Sequence, residues 1–272
     1  MTEAQPTASP STNPLMMALR SRIPGETFRL PSQGLFYTDG ELSDDVVDGE
    51  VHVFPLTALD EITIKTPDKL LSGKAIEDVF IRCIPQVKKP MKLLSKDVDY
   101  LMMCLRLISY GDEMDITYTH TCENAKNQTY GVALRPLIAR AKPIDPTSLG
   151  TTFTIKVGGS MLVKLRPPVF ESVINMYMAN FQSSNQSISL EEAQRKLLDV
   201  ITSTIISVDG EENVEHIQEW VKAIPAGWMQ QIGEAMQSLG NWGPSTAANL
   251  VCKDCGEEME VEIPLNPIAF FS

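Results

Sequence analysis

Two cysteine-bearing turns, far apart in the chain and each set between short alternating strands, constrain this sequence more than any other feature. The C-terminal turn reads Cys252-Lys253-Asp254-Cys255-Gly256, with strand-like EMEVEIPL after it. Its spacing aims two sulfurs at one point, and Gly256 lets the backbone fold back. A CxxC is only half of a tetrahedral site. The stretch TCENAKNQTYGVAL around Cys122 has the same order of strand, Cys turn and strand, although Asn124 and Ala125 stand where its second Cys would be. His120 supplies a fourth donor, because its period-two relation to Cys122 puts both side chains on one strand face. The candidate metal ligands are therefore Cys252, Cys255, Cys122 and His120. Three readings stay open: a structural zinc site, a vestigial knuckle held by hydrogen bonds and apolar packing, and a redox pair. A shared site requires the two hairpins to be neighbours, with everything between them inserted.

That requirement organises the rest. The pattern predicts an α+β protein: a small mixed domain with zinc-ribbon-like Cys hairpins and a mostly helical inserted region. Residues 1–27 form a Thr-, Ser- and Pro-rich arm with a short helix expected at LMMALRSR, 15–22. Residues 28–145 form the mixed domain carrying the Cys122 hairpin, 146–246 a β-hairpin followed by helices, and 247–272 the CxxC hairpin returning to the first domain. Within the first domain, LPSQGLFY (30–37) reads as an extended segment pinned by Leu35, Phe36 and Tyr37. Ser95 reads as the N-cap of a helix whose Asp97 complements the dipole and which Gly111 ends. Further on, Gly158-Gly159-Ser160 joins two strands, and Pro167-Pro168 opens a helix. An amphipathic stripe runs from Ser187 to Val208, with helices at 214–223 and 227–239 after it.

Function classes fall away on charge and on missing motifs. The 272 residues carry 23 Lys and Arg against 35 Asp and Glu, a net charge of -12. Such a chain repels nucleic acid phosphate and anionic lipid. From Ile206 onward only Lys222 and Lys253 offset eleven acidic residues. Asp254, Glu257, Glu258, Glu260 and Glu262 crowd the CxxC turn itself, which argues against a zinc-ribbon adaptor for nucleic acid. No apolar run spans a bilayer, and the first residues lack the pattern of a signal peptide, so a soluble protein of a reducing cytoplasm is expected. Five cysteines, an odd number, argue against a disulfide framework. No phosphate loop, dinucleotide fingerprint, paired-His zinc helix or nucleophile elbow is present. His52 and His216 read as structural or solvent-facing, Cys83 and Cys104 as core residues, so no catalytic residue is assigned. The terminal Phe270 and Phe271 have two readings, aromatic anchors for a partner subunit or rings tucked onto this chain's own core.

Taken together and in order, LPSQGLFY, FPLTALDEITIKTPDKLLSG, LMMCLRLISYGDE, the Cys122 hairpin and VCKDCG with IPLNPIAFFS resemble the baseplate hub subunits of T-even-like contractile-tailed bacteriophages. The similarity covers about residues 28–137 and 250–272 and departs from the family at the first Cys turn, which is usually fuller. The resemblance implies a non-enzymatic component of the virion tail baseplate, assembled in the host cytoplasm. Its implied partners are other baseplate hub and tail proteins, including the tape measure protein, within a large assembly and without nucleic acid or membrane. The alternative is a tail assembly factor or chaperone that binds hub parts and leaves before the virion is mature.

Overall fold

The computed structural model describes residues 24–66, 69, 72–120, 122, 127–145, 153–184, 189–238, 241–263, 265 and 270. The short helix expected at 15–22 lies outside them. The chain is a mixed α+β protein built from small antiparallel sheets and helices. Strand β1 (Glu26–Arg29) pairs with β2 (Glu50–Val53), Glu26 opposite Val53. Helix α1 (Ala58–Ile64) opens with a capping box in which Thr57 and Asp60 satisfy each other's backbone N–H groups. Gly73, in the left-handed region, starts α2 (Lys74–Cys83), and Arg82 returns to Asp60 at 2.5 Å. The central helix α3 (Ser95–Tyr110) ends at Gly111 and leads into the hairpin β3 (Glu113–Thr119) and β4 (Asn127–Ala133), followed by α4 (Leu134–Ala139).

The second half begins with the three-stranded sheet of β5 (Thr154–Val157), β6 (Met161–Leu165) and β7 (Ile205–Val208), order β5-β6-β7. Helices α5 (Phe170–Ser184) and α6 (Leu190–Ser203) lie between β6 and β7 in sequence. Helices α7 (Val214–Ala223) and α8 (Ala226–Ser238) follow. The closing hairpin is β8 (Ala247–Val251) and β9 (Glu258–Glu262).

Buried apolar side chains sort into two cores. One gathers Phe28, Val51, Phe80, Leu101, Met114, Tyr130 and, from the chain end, Ala248, Leu250, Val261, Ile263 and Phe270. The other gathers Phe153, Val163, Leu165, Ile205, Ile217, Ile232 and Trp242. Between the cores sits Tyr37, packed against both.

Three local expectations are corrected. Segment 30–37 is a run of turns rather than extended, with Gln33, Gly34 and Phe36 at φ of 56°, 81° and 70°. The reason is a close crossing: a Cβ on Gly49 would lie 2.7 Å from the Gln33 carbonyl carbon, so two backbones meet where only glycine fits. Leu35 and Phe36 still pin it, onto the second core. Ser95 is the first residue of α3 rather than its cap; Leu94 precedes the helix and Ser95 N–H donates to Pro168 O at 2.9 Å. Finally, the stripe to Val208 is not one helix. The hydroxyls of Thr202 and Ser203 donate back to Leu198 O and Val200 O, competing with the helical ladder, and the β-branched run that follows enters the sheet.

Asp97 has no solvent exposure. It accepts hydrogen bonds from Ser32 N–H at 3.0 Å and Tyr37 O–H at 2.6 Å, and the Tyr37 oxygen accepts from Leu94 N–H at 2.9 Å. Burial pushes its carboxyl up to about 6, against the pull of those bonds. A folded chain that holds this proton more tightly than the unfolded one loses stability as pH rises from about 4 to about 6, and the loss is complete above that. Urea unfolding of the wild type and Asp97→Asn across this range is expected to show the wild type losing up to about 3 kcal/mol relative to the variant. Parallel profiles would contradict the assignment.

Candidate metal centre

The β3–β4 hairpin carries alternating side chains: Met114, Ile116, Tyr130 and Val132 face the first core while their neighbours face water. Between its two strands the chain places His120 and Cys122. The β8–β9 hairpin does the same with Ala248, Leu250 and Val261, and its turn holds Cys252 and Cys255. Gly256, at φ 75°, closes that turn: its N–H donates to Cys252 O at 2.9 Å, and Cys252 N–H donates to Glu257 O at 2.9 Å.

The two hairpins meet despite the residues between them. Gln128 donates to Asp254 at 2.5 Å, and Lys253 donates to Thr129 O at 2.5 Å with its ammonium 5.0 Å from the centre of the Tyr130 ring. These contacts bring the four predicted ligands together. One ligand atom from each of His120, Cys122, Cys252 and Cys255 lies within 4.8 Å of every other.

The donor set suits a four-coordinate ion. Zinc–sulfur and zinc–nitrogen bonds of about 2.3 and 2.0–2.1 Å at tetrahedral angles place sulfur and nitrogen about 3.6 Å apart and two sulfurs about 3.8 Å apart. Cys255 Sγ and His120 Nδ1 are 3.5 Å apart. The far side of the ring, Nε2, faces the Glu257 carboxylate at 3.7 Å, beyond direct hydrogen-bond distance. All five cysteines are free thiols. Cys252 is buried, and backbone N–H groups of Cys255 and Asp254 aimed at its sulfur hold the thiol down to about 6. The Glu257 N–H pulls the Cys255 thiol down, but the neighbouring Cys252 sulfur, desolvation and Cys122 together push it up. One thiolate is thus available at neutral pH before a metal displaces further protons.

Sequence comparison agrees with the geometry in extent. The family described as T4 bacteriophage base plate protein matches residues 54–271, a span that includes both Cys hairpins and everything between them. The chain belongs to this family. Comparisons with curated proteins and with solved structures yield no match. Membership makes the chain a phage baseplate protein, a structural component that works within an assembly of other proteins. Among the described residues, no helix is long and apolar enough to cross a membrane.

For this baseplate protein the two aromatic candidates at the chain end separate. Phe270 is 1% exposed and sits in the first core, with the Arg106 guanidinium 5.8 Å from its ring centre. In the isolated chain the ring packs into this protein's own core. Phe271 lies outside the described residues. Sequence reading missed Glu257 behind His120 and the Gln128–Asp254 and Lys253–Thr129 contacts, which no local spacing signals. Removing the buried ring by Phe270→Ala is expected to destabilise the isolated chain by about 3–5 kcal/mol, read as a lowered denaturation midpoint with unchanged slope.

Proposed function

We infer that the chain is a structural subunit of the baseplate hub of a contractile phage tail, acting in hub and tail assembly through contacts with other hub and tail proteins. The observation that carries this reading is the family match across residues 54–271. The non-enzymatic reading follows from a family of structural baseplate proteins and from a sequence without catalytic motifs. In the same reading, residues 28–145 with 247–272 form one domain and 146–246 an inserted second one.

The Cys hairpins act as a zinc ribbon split across the chain. Cys122, Cys252, Cys255 and His120 would hold a structural zinc ion, which supplies no chemistry beyond cross-linking. What the residues themselves do is place four donors within 4.8 Å, with the Glu257 carboxylate 3.7 Å from the far nitrogen of the imidazole. A metal there ties the chain end to the Cys122 hairpin, a cross-link over a long loop and therefore one that restricts the unfolded chain strongly.

Protein purified without chelator is expected to carry about one equivalent of zinc, and Cys255→Ser to lose most of it. Structural zinc contributes about 10–16 kcal/mol of apparent binding energy, so that variant should also unfold the ribbon. Less than about a tenth of an equivalent in the wild type would reject the metal. For the hub role, purified mature particles are expected to contain the chain at a fixed stoichiometry. Particles lacking it, with the chain present only in assembly intermediates, would make it a transient assembly factor instead.

A further inference from the structure

The two edges of the β1–β2 sheet are treated differently. In an antiparallel pair, alternate residues turn their N–H and C=O groups toward the same neighbour. Leu30 N–H donates to Gly49 O at 2.9 Å, so Phe28 and Glu26 face β2 while Thr27 and Arg29 face away from it. The outer edge of β2 is closed by this chain: His52 N–H donates to Gln86 Oε1 and Phe54 N–H to Cys83 O. Among the described residues, no acceptor meets the outward N–H groups of Thr27 and Arg29, and the sheet has only two strands.

Beside that edge runs a groove of about 530 Å³ between β1 and α4. Its apolar lining comes from Phe28, Tyr100, Leu107 and Ile138, and the small residues Ala139 and Ala141 leave its far wall open. An open strand edge over an apolar groove is the arrangement that accepts an added strand, with backbone bonds supplying affinity and side-chain pockets register.

Charge indicates what fits. In a chain of net charge -12, residues 134–143 carry Arg135, Arg140 and Lys142 and no acid; Arg135 lines the groove with Arg29 and Glu26 of β1, while Arg140 and Lys142 lie in the same segment outside its lining. Arg29 stands on β1 across from them. Arg29 and Arg135 pair with Asp48 and Glu26 at 2.9 and 3.2 Å, exposed contacts that water and salt weaken and an incoming carboxylate can replace. Among the described residues, Arg140 and Lys142 pair with no carboxylate.

We propose that the outer edge of β1 is a docking site for an extended acidic segment of a neighbouring baseplate subunit, which adds as a third strand in the groove beside α4. The identity of the neighbour rests on the baseplate reading above; the strand addition rests on the edge, the groove and the charge.

The deciding substitution is Thr27→Pro. It deletes an N–H that points away from β2, leaves the β1–β2 ladder intact and suits an edge strand. Thr27→Ala controls for the lost contact between the Thr27 hydroxyl and His52 Nδ1 at 3.1 Å. With melting temperatures equal to that of Thr27→Ala, Thr27→Pro is expected to reduce recovery of the chain in baseplate assembly intermediates and particles at least tenfold. The double variant Arg140→Glu, Lys142→Glu should reduce it several-fold, and Arg140→Lys, Lys142→Arg should not. Amide hydrogen exchange supplies a readout independent of the proline: Thr27 and Arg29 should exchange fast in the free chain and slowly in the assembly. Normal incorporation of both Thr27→Pro and the charge-reversal variant would overturn the proposal. So would slow exchange in the isolated monomer, which would mean that this chain covers its own edge. A wild-type chain found in intermediates but not in mature particles would remove the hub role and leave the strand addition standing.

Discussion

A carboxylate shut away from water, Asp97, holds the two halves of this molecule in register. It takes the Ser32 N–H and the Tyr37 hydroxyl, and Tyr37 in turn takes Leu94 N–H and packs against both cores. A charge in that position is costly unless its oxygens are occupied, so the turns of residues 30–37 must wrap over the start of α3 in one arrangement. That wrap carries Leu35 and Phe36 onto the second core. The same region bonds the halves directly, through Ser95 N–H to Pro168 O at 2.9 Å and Phe170 N–H to Leu93 O at 2.8 Å. A polar junction of this kind fixes geometry better than apolar contact alone, because each bond has a direction.

At the other pole the constraint is closure. The last residues of the chain complete the first core, with Ala248, Leu250, Val261, Ile263 and Phe270 buried beside residues of α3 and the β3–β4 hairpin. Everything from α4 to α8 therefore lies within a loop whose ends are held together. Closing so long a loop carries an entropic cost that grows only slowly with its length, and the packed rings and aliphatic side chains at its base offset it. The His120, Cys122, Cys252 and Cys255 cluster sits at that closure, where one cross-link constrains the most chain. For a subunit that works within an assembly of other proteins, the open edge at β1 is the feature proposed to meet a neighbour.

Much of this was legible in the order of residues. The hairpin at 113–133 follows from strict alternation across Met114, Ile116, Tyr130 and Val132, and the helix expected at 214–223 is α7, which the structure shows capped by Asn213. The four donors of the candidate metal centre follow from a CxxC turn, a second Cys turn like it, and a His two residues from that Cys. These are short-range patterns, and short-range sterics and hydrogen bonding act on neighbours in sequence. What only the tertiary structure decided required two distant segments to meet. The left-handed φ at Gln33 and Phe36 goes with the crossing at Gly49, the Ile205–Val208 run pairs with β6 as a strand, and Phe270 is buried in the first core. In each case the local sequence permits several conformations of similar energy, and burial against a partner remote in the chain selects one.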